Sequence, residues 1–182
     1  MGHLELPTLR EGLANVRLSP RDAGRLELVV RRPADDQREL LTEAELSRDT
    51  GLVGDKWSVV YKGTAPNPQA QMTLMNARAA ALVAGRADHG GLAGDQLYVD
   101  LNLSYENLPP GTRLSIGSAV IEVTTEPHTG CGKFVRRFGV DAMKFVNSAD
   151  GRQLNLRGIN AKVIVDGVVR PGDTVMKTSS VA

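Results

Sequence analysis

The segment AKVIVDGVVRPGDTVMK, residues 161–177, combines short runs of β-branched residues with tight-turn signals. Two of these runs, residues 161–165 and 168–170, flank the dipeptide Asp166-Gly167, which is typical of a type I′ hairpin turn. After a Pro-Gly-Asp turn, residues 174–177 predict one more strand. The C-terminal part of the chain is therefore predicted to consist of short strands joined by tight turns.

The same pattern recurs upstream of this segment. Arg113–Ile116 and residues 119–125 flank a Gly-Ser pair and predict a second hairpin. Residues 25–32 alternate in part and predict a strand that ends before Pro33, because proline cannot donate to a strand ladder. Many short strands with few helices predict a mainly β protein with a few short helices, built as a closed or nearly closed β-barrel.

Helical signals are few. Asn76 is a candidate N-cap for the alanine-rich run Ala77–Ala84, and Gly85 is placed to stop that helix. Phenylalanines 134 and 138, one helical turn apart, predict a second short helix that ends at Gly139. Residues 34–48 are polar and compatible with helix, and we interpret them as a surface excursion.

Two nearly identical pentapeptides lie forty positions apart, Gly-Leu-Val-Gly-Asp at 51–55 and Gly-Leu-Ala-Gly-Asp at 91–95. Each precedes a β-prone run, at residues 57–61 and 97–99. Their flanking sequences do not match, so we interpret them as two equivalent tight turns rather than as a repeat. Aspartate in such turns bonds its own backbone, which favours a structural role for both.

Composition excludes several classes of protein. A chain of 182 residues with ordinary hydrophobic content is predicted to form one domain over 1–182. The net charge of +1 provides no overall basic field, which argues against nucleic-acid binding. No apolar run is long enough to span a membrane, and charges at the N-terminus argue against a signal peptide. A cytoplasmic, reducing location is the resulting expectation, and it would keep the single cysteine as a free thiol.

That cysteine, Cys131, lies in the segment PHTGCGKF at 127–134. It directly precedes a predicted helix, whose first N–H groups and dipole favour a thiolate. Lys133, Arg136 and Arg137 add positive charge, and His128 is three residues upstream. The flanking glycines permit close approach of a ligand to the backbone. These features indicate a reactive thiol or an anion site.

Other readings of the same residues remain open. A free cysteine is often a small buried apolar residue, and the basic run also fits a solvated helix face. A zinc site on His128 and Cys131 would need His3 or His89 and a carboxylate. Nucleotide-binding and α/β-hydrolase motifs are absent from the sequence. Papain-like catalysis fails because no histidine follows Cys131.

Five segments, taken in order, resemble the MOSC domain, the domain at the C-terminus of molybdenum cofactor sulfurases. The segments are 51–57, 108–117, 119–127, Cys131 and 157–175. The resemblance covers about residues 26–175, which we take as the MOSC-like core. It implies a β-barrel of the pyruvate-kinase β-domain type, with Cys131 as the residue that carries persulfide sulfur or ligates molybdenum in a pterin cofactor.

The resemblance also implies candidate site residues and partners. Lys133, Arg136 and His128 are candidates for activating the thiol or holding an anion, and Lys56 and Arg157 come from the matching motifs. A stand-alone MOSC domain would take sulfur from a cysteine desulfurase or electrons from an electron-transfer protein. It would not itself bind pyridoxal phosphate.

Three functions follow as hypotheses from these residues and from the resemblance. The first is a sulfur carrier or molybdenum-pterin-binding protein that acts through Cys131. The second is a molybdenum-cofactor-dependent reductase of N-hydroxylated compounds with a separate electron donor. The third is a non-catalytic barrel that binds a small anionic ligand and uses Cys131 only for packing.

Overall fold

The structure is a computed structural model that describes residues 3–59, 63–86 and 91–178. Its described part contains eleven strands and four α-helices. The strands are β1 Ala23–Arg31, β2 Glu39–Leu41, β3 Ala44–Ser47, β4 Gly51–Leu52, β5 Met72–Asn76, β6 Leu97–Asp100, β7 Arg113–Ile116, β8 Ala119–Val123, β9 Ile159–Val165, β10 Gly167–Val169 and β11 Thr174–Thr178. The helices are α1 Leu6–Arg17, α2 Ala77–Ala84, α3 Gly132–Val146 and α4 Ala149–Gln153, and short 3₁₀ turns lie at Lys56–Ser58 and Pro68–Ala70.

Seven strands close into a barrel in the order β1-β11-β7-β8-β9-β5-β6, with β6 pairing back onto β1. Every pairing in the ring is antiparallel except β5 with β6, which α2 connects as a crossover. Closure leaves no unpaired edge in the ring. The predicted β-barrel architecture is confirmed.

Strand β1 pairs with β2 as well as with its two neighbours in the barrel, β11 and β6. Its first residues pair with β11, and its last three, Val29 to Arg31, pair with β2. The chain therefore leaves the barrel at Arg32 and returns through β2, forming a connection over residues 32–38. A second, three-stranded sheet in the order β10-β3-β4 lies beside the barrel.

Two apolar clusters hold these layers together. The barrel interior is filled by leucine, valine, isoleucine, alanine and methionine, and the inward positions of β8 (Ala119, Ile121 and Val123) are all buried. A second cluster packs α1, α2 and α3 on the outside of the barrel, with Phe134 and Phe138 of α3 edge to face at 4.9 Å between ring centroids. Burying both faces of the sheet in this way is the main source of stability for the fold. Within the described residues, none of the helices is both long and apolar enough to cross a bilayer.

Several local predictions are confirmed. The strands β7 and β8 form the predicted hairpin. Helix α2 begins at the predicted cap, since the Asn76 side chain accepts a hydrogen bond from the Ala79 N–H at 2.9 Å, and it ends at Gly85. Helix α3 breaks at Gly139, whose φ of 86° lies in the left-handed region that favours glycine. The break ends the first helical piece of α3 at the residue where the spacing of its phenylalanines predicted an end.

Three predictions are wrong. Residues 34–48 are a loop followed by β2 and β3 rather than a helix, because Ala44 and Leu46 of β3 alternate with exposed Glu45 and pack in the barrel core. Asp166-Gly167 does not form a type I′ hairpin, since neither residue has the positive φ that this turn requires, and β10 pairs with β3 instead of β9. The run after Asp55 begins as a 3₁₀ turn, not a strand, and residues 60–62 lie outside the described part.

Helix α1 has no counterpart among the sequence predictions. Its N-cap, Glu5, makes no side-chain capping hydrogen bond, and its first turn contains no acidic residue. Only a proline in the first turn indicates a helix start. Packing of Leu9 and Val16 in the second apolar cluster stabilises this helix, and tertiary packing of this kind is not visible in a local pattern.

Candidate functional site

Cys131 lies at the end of the loop that leaves β8 and acts as the N-cap residue of α3. Cys131 is exposed, so the hypothesis that its side chain serves only for packing in the protein interior is wrong. Partial burial raises the pKa of the thiol. The backbone N–H groups of Phe134 and Lys133, followed by the charges of Arg157 and Arg137, outweigh this effect, and the pKa lies below its ordinary value. A lowered pKa increases the thiolate fraction of Cys131 relative to an ordinary cysteine.

The thiol borders a cavity of about 140 Å³ in whose lining basic side chains outnumber the one acidic side chain, Asp36. The cavity lies between α3, the connection over residues 32–38 and the residues that precede β6 and β9. Six basic side chains line it: Arg32, Arg38, Lys56, Lys133, Arg137 and Arg157. A thiolate beside so many cations matches the electropositive setting of reactive cysteines.

The first pentapeptide aspartate, Asp55, holds one of these arginines in place. Asp55 is 2% exposed, and its two carboxylate oxygens accept from Arg32 Nη2 at 2.8 Å and Arg32 Nε at 2.9 Å. The same carboxylate accepts from the backbone N–H of Arg32 and of Trp57. Arg32 also donates to the Gly94 carbonyl at 2.8 Å. This paired geometry fixes the guanidinium at the cavity.

The second pentapeptide aspartate, Asp95, has the equivalent role for Arg157. Asp95 is fully buried and accepts from Arg157 Nη1 at 2.7 Å. Arg157 is 7% exposed, donates to the Ala93 carbonyl at 3.2 Å and lies 5.2 Å from the centroid of the Phe134 ring. Both pentapeptide aspartates are thus structural, as their sequence suggested. Asp55 fixes the partly exposed Arg32 and Asp95 fixes the buried Arg157 at the same cavity.

Two arginines that line the cavity each have an N–H group without a hydrogen-bond partner among the described residues. Arg38 Nε and Arg157 Nε are buried and have no hydrogen-bond partner among the described residues. Burial of the guanidinium and then the charge of Arg137 lower the pKa of Arg38. Buried donors without partners, crowded by like charges, are expected to bind an anion.

A profile of the MOSC domain family matches residues 67–176 of this chain. The chain belongs to the MOSC domain family. The match begins before β5 and ends within β11, so it includes Cys131, Lys133, Arg137 and Arg157 of the cavity. No curated protein sequence matches the chain significantly.

Solved structures share the MOSC fold of this chain. The YUAD protein from Bacillus subtilis superposes with a TM-score of 0.61 at 15% identity, over 84% of this chain and 94% of that one. YiiM from Escherichia coli gives a TM-score of 0.57 at 19% identity, over 87% and 71%. YiiM from Geobacillus stearothermophilus gives 0.52 at 12% identity, over 86% and 73%. At these identities the likeness concerns the fold alone.

Four of the site residues predicted from the MOSC resemblance lie together, since Cys131, Lys133, Lys56 and Arg157 all line the cavity. Arg136 is exposed on α3 and does not belong to the lining, where the next residue along, Arg137, takes part instead. Arg136 and Arg137 form one basic run in the sequence. Successive residues of a helix point in different directions, so Arg137 faces the cavity and Arg136 does not.

His128 lies behind the cavity rather than in it. The imidazole lines a second cavity of about 140 Å³ on the other side of the loop, and its Nδ1 is 3.5 Å from Asp95 Oδ1. The zinc hypothesis finds no support here, because no group of three or more candidate ligands is arranged around a common point in the described residues. His89, which that hypothesis also named, lies outside them.

Arg32 and Arg38 are the site residues that sequence reasoning did not name, and Arg137 was named only as part of a basic run. Arg32 ends the predicted strand 25–32, and Arg38 lies in the segment 34–48 that was interpreted as a surface excursion. A buried carboxylate requires a cationic partner, but nothing in the sequence of the duplicated pentapeptide indicates that its aspartates are buried. Nothing local identifies Arg38.

We expect His128 to make stability depend on pH. Burial, opposed by Asp95 and reinforced by Arg157 and Arg32, lowers the pKa of His128 from 6.5 to about 4. Between these values the unfolded chain binds a proton that the folded chain does not, so the free energy of unfolding decreases as pH falls from 6.5 to 4. The loss attributable to His128 is about 3 kcal/mol.

Urea unfolding of the wild type and of His128→Gln at pH 7 and about pH 4.5 tests this expectation. Groups common to both proteins cancel, so the wild type should lose about 2–3 kcal/mol more than the variant over this interval. Equal losses in the two proteins would show that His128 is not buried in the neutral form.

We expect Arg137, but not Arg136, to lower the pKa of the Cys131 thiol. Removing the charge of Arg137 should raise the pKa of Cys131, because that charge is one of the factors that lower it. Alkylation by iodoacetamide at pH 7 should then slow by about twofold in Arg137→Gln, since only the thiolate reacts. Arg136→Gln removes a neighbouring charge outside the cavity and should leave the rate unchanged. A larger effect in Arg136→Gln would mean that α3 is rotated relative to the cavity.

Proposed function

We propose that this MOSC protein binds a molybdenum-pterin cofactor through the cationic cavity, with Cys131 as a sulfur ligand of the metal. The observation that carries the proposal is the position of Cys131, an exposed thiol with a lowered pKa beside a cavity lined by six arginine and lysine side chains. A pterin cofactor of this kind carries a phosphate, and molybdenum is a soft enough metal to accept a thiolate.

The residues at the cavity fit such a group. Arg38 Nε and Arg157 Nε are buried donors without partners among the described residues, and a phosphate oxygen would satisfy them. Lys56 and Lys133 are partly exposed at the mouth, at 34% and 46% of their side-chain surface, and can hold further negative charge there. Cys131 supplies the single soft ligand. Chemistry, charge and open donors all favour an anionic cofactor with a thiophilic metal.

Each part of the site would have a separate role towards the cofactor. Arg32 and Arg157 are fixed by Asp55 and Asp95, so they present charge without reorganising when an anion enters. The N-terminal N–H groups of α3 stabilise the Cys131 thiolate in the absence of metal. When bound, the cofactor would supply two-electron redox chemistry at molybdenum.

Cofactor content is the test of this proposal. The protein is purified from a host that makes the molybdenum cofactor, and pterin is measured by fluorescence after oxidative release. The double variant Lys56→Gln/Lys133→Gln should retain no more than about one tenth of the pterin that the wild type retains, because two charges at the mouth of the cavity are lost. Arg136→Gln/Arg152→Gln removes two exposed charges outside the cavity and is the matched control. Equal pterin content in the wild type and both variants would contradict the proposal.

The exposure of Cys131 favours a second candidate function, that of a sulfur carrier. A donor protein must reach the thiol, and Cys131 is exposed at the end of its loop. In the transfer, the Cys131 thiolate attacks the outer sulfur of a cysteine persulfide on a desulfurase. A new S–S bond forms on Cys131, the S–S bond of the donor breaks, and the donor cysteine leaves as a thiolate.

Incubation with a cysteine desulfurase and sulfur-labelled cysteine tests this second candidate. The label should appear on the wild type, should be released by a reducing agent, and should be absent from Cys131→Ser. Absence of label from the wild type, or equal label on both proteins, would exclude the carrier function and leave the cofactor proposal in place.

A further inference from the structure

Two exposed aspartates already pair with cations that line the cavity. Asp35 Oδ1 contacts Lys56 Nζ and lies 3.3 Å from Lys133 Nζ. Asp36 Oδ1 accepts from Arg137 Nη2 at 2.8 Å. Both aspartates belong to the connection between β1 and β2. Three of the six cations that line the cavity are therefore paired with carboxylates of this one loop.

These carboxylates differ from the two that anchor arginines. Asp55 and Asp95 are buried, whereas the side chains of Asp35 and Asp36 are 72% and 67% exposed. A buried ion pair is hard to open, because separation leaves a desolvated charge. An exposed pair opens easily, because water replaces the partner. The outer aspartates can therefore leave their cations, and the inner ones cannot.

The loop is negatively charged and has an uncommon backbone conformation. Hydrogen bonds from Lys56 and then from Lys133 lower the pKa of Asp35, so this residue remains an anion at neutral pH. Asp36 has a φ of 57°, a left-handed conformation that is uncommon for a residue with a side chain. Held in this conformation, the loop places a negative charge where an anionic ligand would bind.

The size of the cavity agrees with partial closure. Its volume of about 140 Å³ accommodates a phosphate-sized group, whereas pockets that enclose a whole organic ligand usually measure about 300–1,000 Å³. The loop that carries Asp35 and Asp36 forms part of its wall. Movement of that loop away from Lys56 and Lys133 would both enlarge the cavity and free its outer cations.

We propose that Asp35 and Asp36 form an acidic latch, an internal competitor that occupies Lys56, Lys133 and Arg137 until an anionic ligand displaces it. The inference rests on the proposed function insofar as the ligand is the phosphate of a cofactor. The latch lowers the affinity for small anions such as free phosphate, which cannot compensate for its displacement. A larger anionic ligand gains additional contacts at Arg38, Arg157 and Cys131.

Binding of pyrophosphate, measured by isothermal titration calorimetry at fixed ionic strength, tests the latch. Asp35→Asn/Asp36→Asn should bind pyrophosphate about tenfold more tightly than the wild type, because two competing charges are removed. Asparagine tolerates the left-handed conformation of Asp36 as well as aspartate does, so the loop should keep its shape. Glu43→Gln/Glu106→Gln changes net charge equally at two exposed ion pairs outside the cavity, and is the matched control.

A pair of alkylating reagents gives a second readout of the latch. Iodoacetate is an anion and iodoacetamide is neutral, so the ratio of their rates at Cys131 reports the local potential. We expect this ratio to rise about threefold in Asp35→Asn/Asp36→Asn and to stay unchanged in the control.

The outcomes separate the latch from the proposed function. Pyrophosphate binding of equal or lower affinity in Asp35→Asn/Asp36→Asn would show that the aspartates position the cations, and would overturn the latch alone. Equal tightening in the control would assign the effect to net charge and would also overturn it. Absence of pyrophosphate binding in every protein would overturn both the latch and the anion-binding role of the cavity.

Discussion

Cys131→Ser is expected to abolish molybdenum retention and persulfide loading while leaving the fold intact. A serine hydroxyl has a far higher pKa than a thiol and is a hard ligand, so it neither carries sulfur nor competes for a thiophilic metal. Because Cys131 is exposed and makes no side-chain capping hydrogen bond, the free energy of unfolding should change by no more than about 0.5 kcal/mol.

Molybdenum per chain, measured by mass spectrometry of the digested protein, should fall at least about tenfold in Cys131→Ser. Cys131→Ala serves as a second variant, since it removes the sulfur without adding a hydroxyl, and it should behave in the same way. Unchanged molybdenum content in both variants would assign the metal, if present, to other groups and would remove Cys131 from the site.

Asp95→Asn is expected to give the largest loss of stability, about 3–5 kcal/mol. The substitution keeps the shape of the side chain but removes the only carboxylate that the structure places on Arg157, within the described residues. Arg157 is 7% exposed, so its charge would remain in a poorly solvated position without a counter-ion. Because Arg157 also lines the cavity, pyrophosphate affinity should change in the same variant.

Urea unfolding followed by circular dichroism measures this effect. Glu106→Gln removes an exposed carboxylate paired with Arg21 and should change the free energy of unfolding by less than about 1 kcal/mol. Adding Arg157→Met to Asp95→Asn should recover part of the loss, because the uncompensated charge is then gone. A loss below about 1 kcal/mol in Asp95→Asn would show that the pair is far more solvated than the structure indicates.

Where the chemistry is local, the sequence predicts the fold well. The hairpin of β7 and β8 and the capped helix α2 follow from turn residues, alternation and an asparagine cap within a few positions of each other. The reactive setting of Cys131 also follows from its immediate neighbours, since the N–H groups of α3 lie directly after it. Each of these features depends on residues that are close together in the sequence, so a local pattern is enough to predict it.

Where the partner is distant in sequence, prediction from the chain fails. Asp166-Gly167 has the composition of a hairpin turn, yet β10 pairs with β3, and Asp166 instead accepts from the backbone of Arg48. Residues 34–48 look like a polar excursion, but they bring Arg38 to a cavity whose other wall is α3, and Asp35 to Lys133 of that helix, about a hundred residues later. Long-range pairings of this kind are set by packing rather than by local pattern.

The duplicated pentapeptide is an intermediate case, in which the sequence predicts a structural role but not the distant partner. The two copies are not equivalent turns, since residues 51–52 form β4 and residues 91–93 form a 3₁₀ turn. The structural role predicted for the aspartates holds, but nothing local indicates that both are buried or that each fixes an arginine. The arginines, Arg32 and Arg157, lie 23 and 62 positions from their partners. Together, the two pairs hold two guanidinium groups at the cavity that Cys131 borders.

Native mass spectrometry tests the central claim, that Cys131 and the cationic cavity hold a molybdenum-pterin cofactor. The wild-type protein, purified from a host that makes the cofactor, should carry the added mass of a metal-pterin group, and Cys131→Ser prepared in parallel should not. A wild-type spectrum that contains only the mass of the unmodified chain would contradict the account.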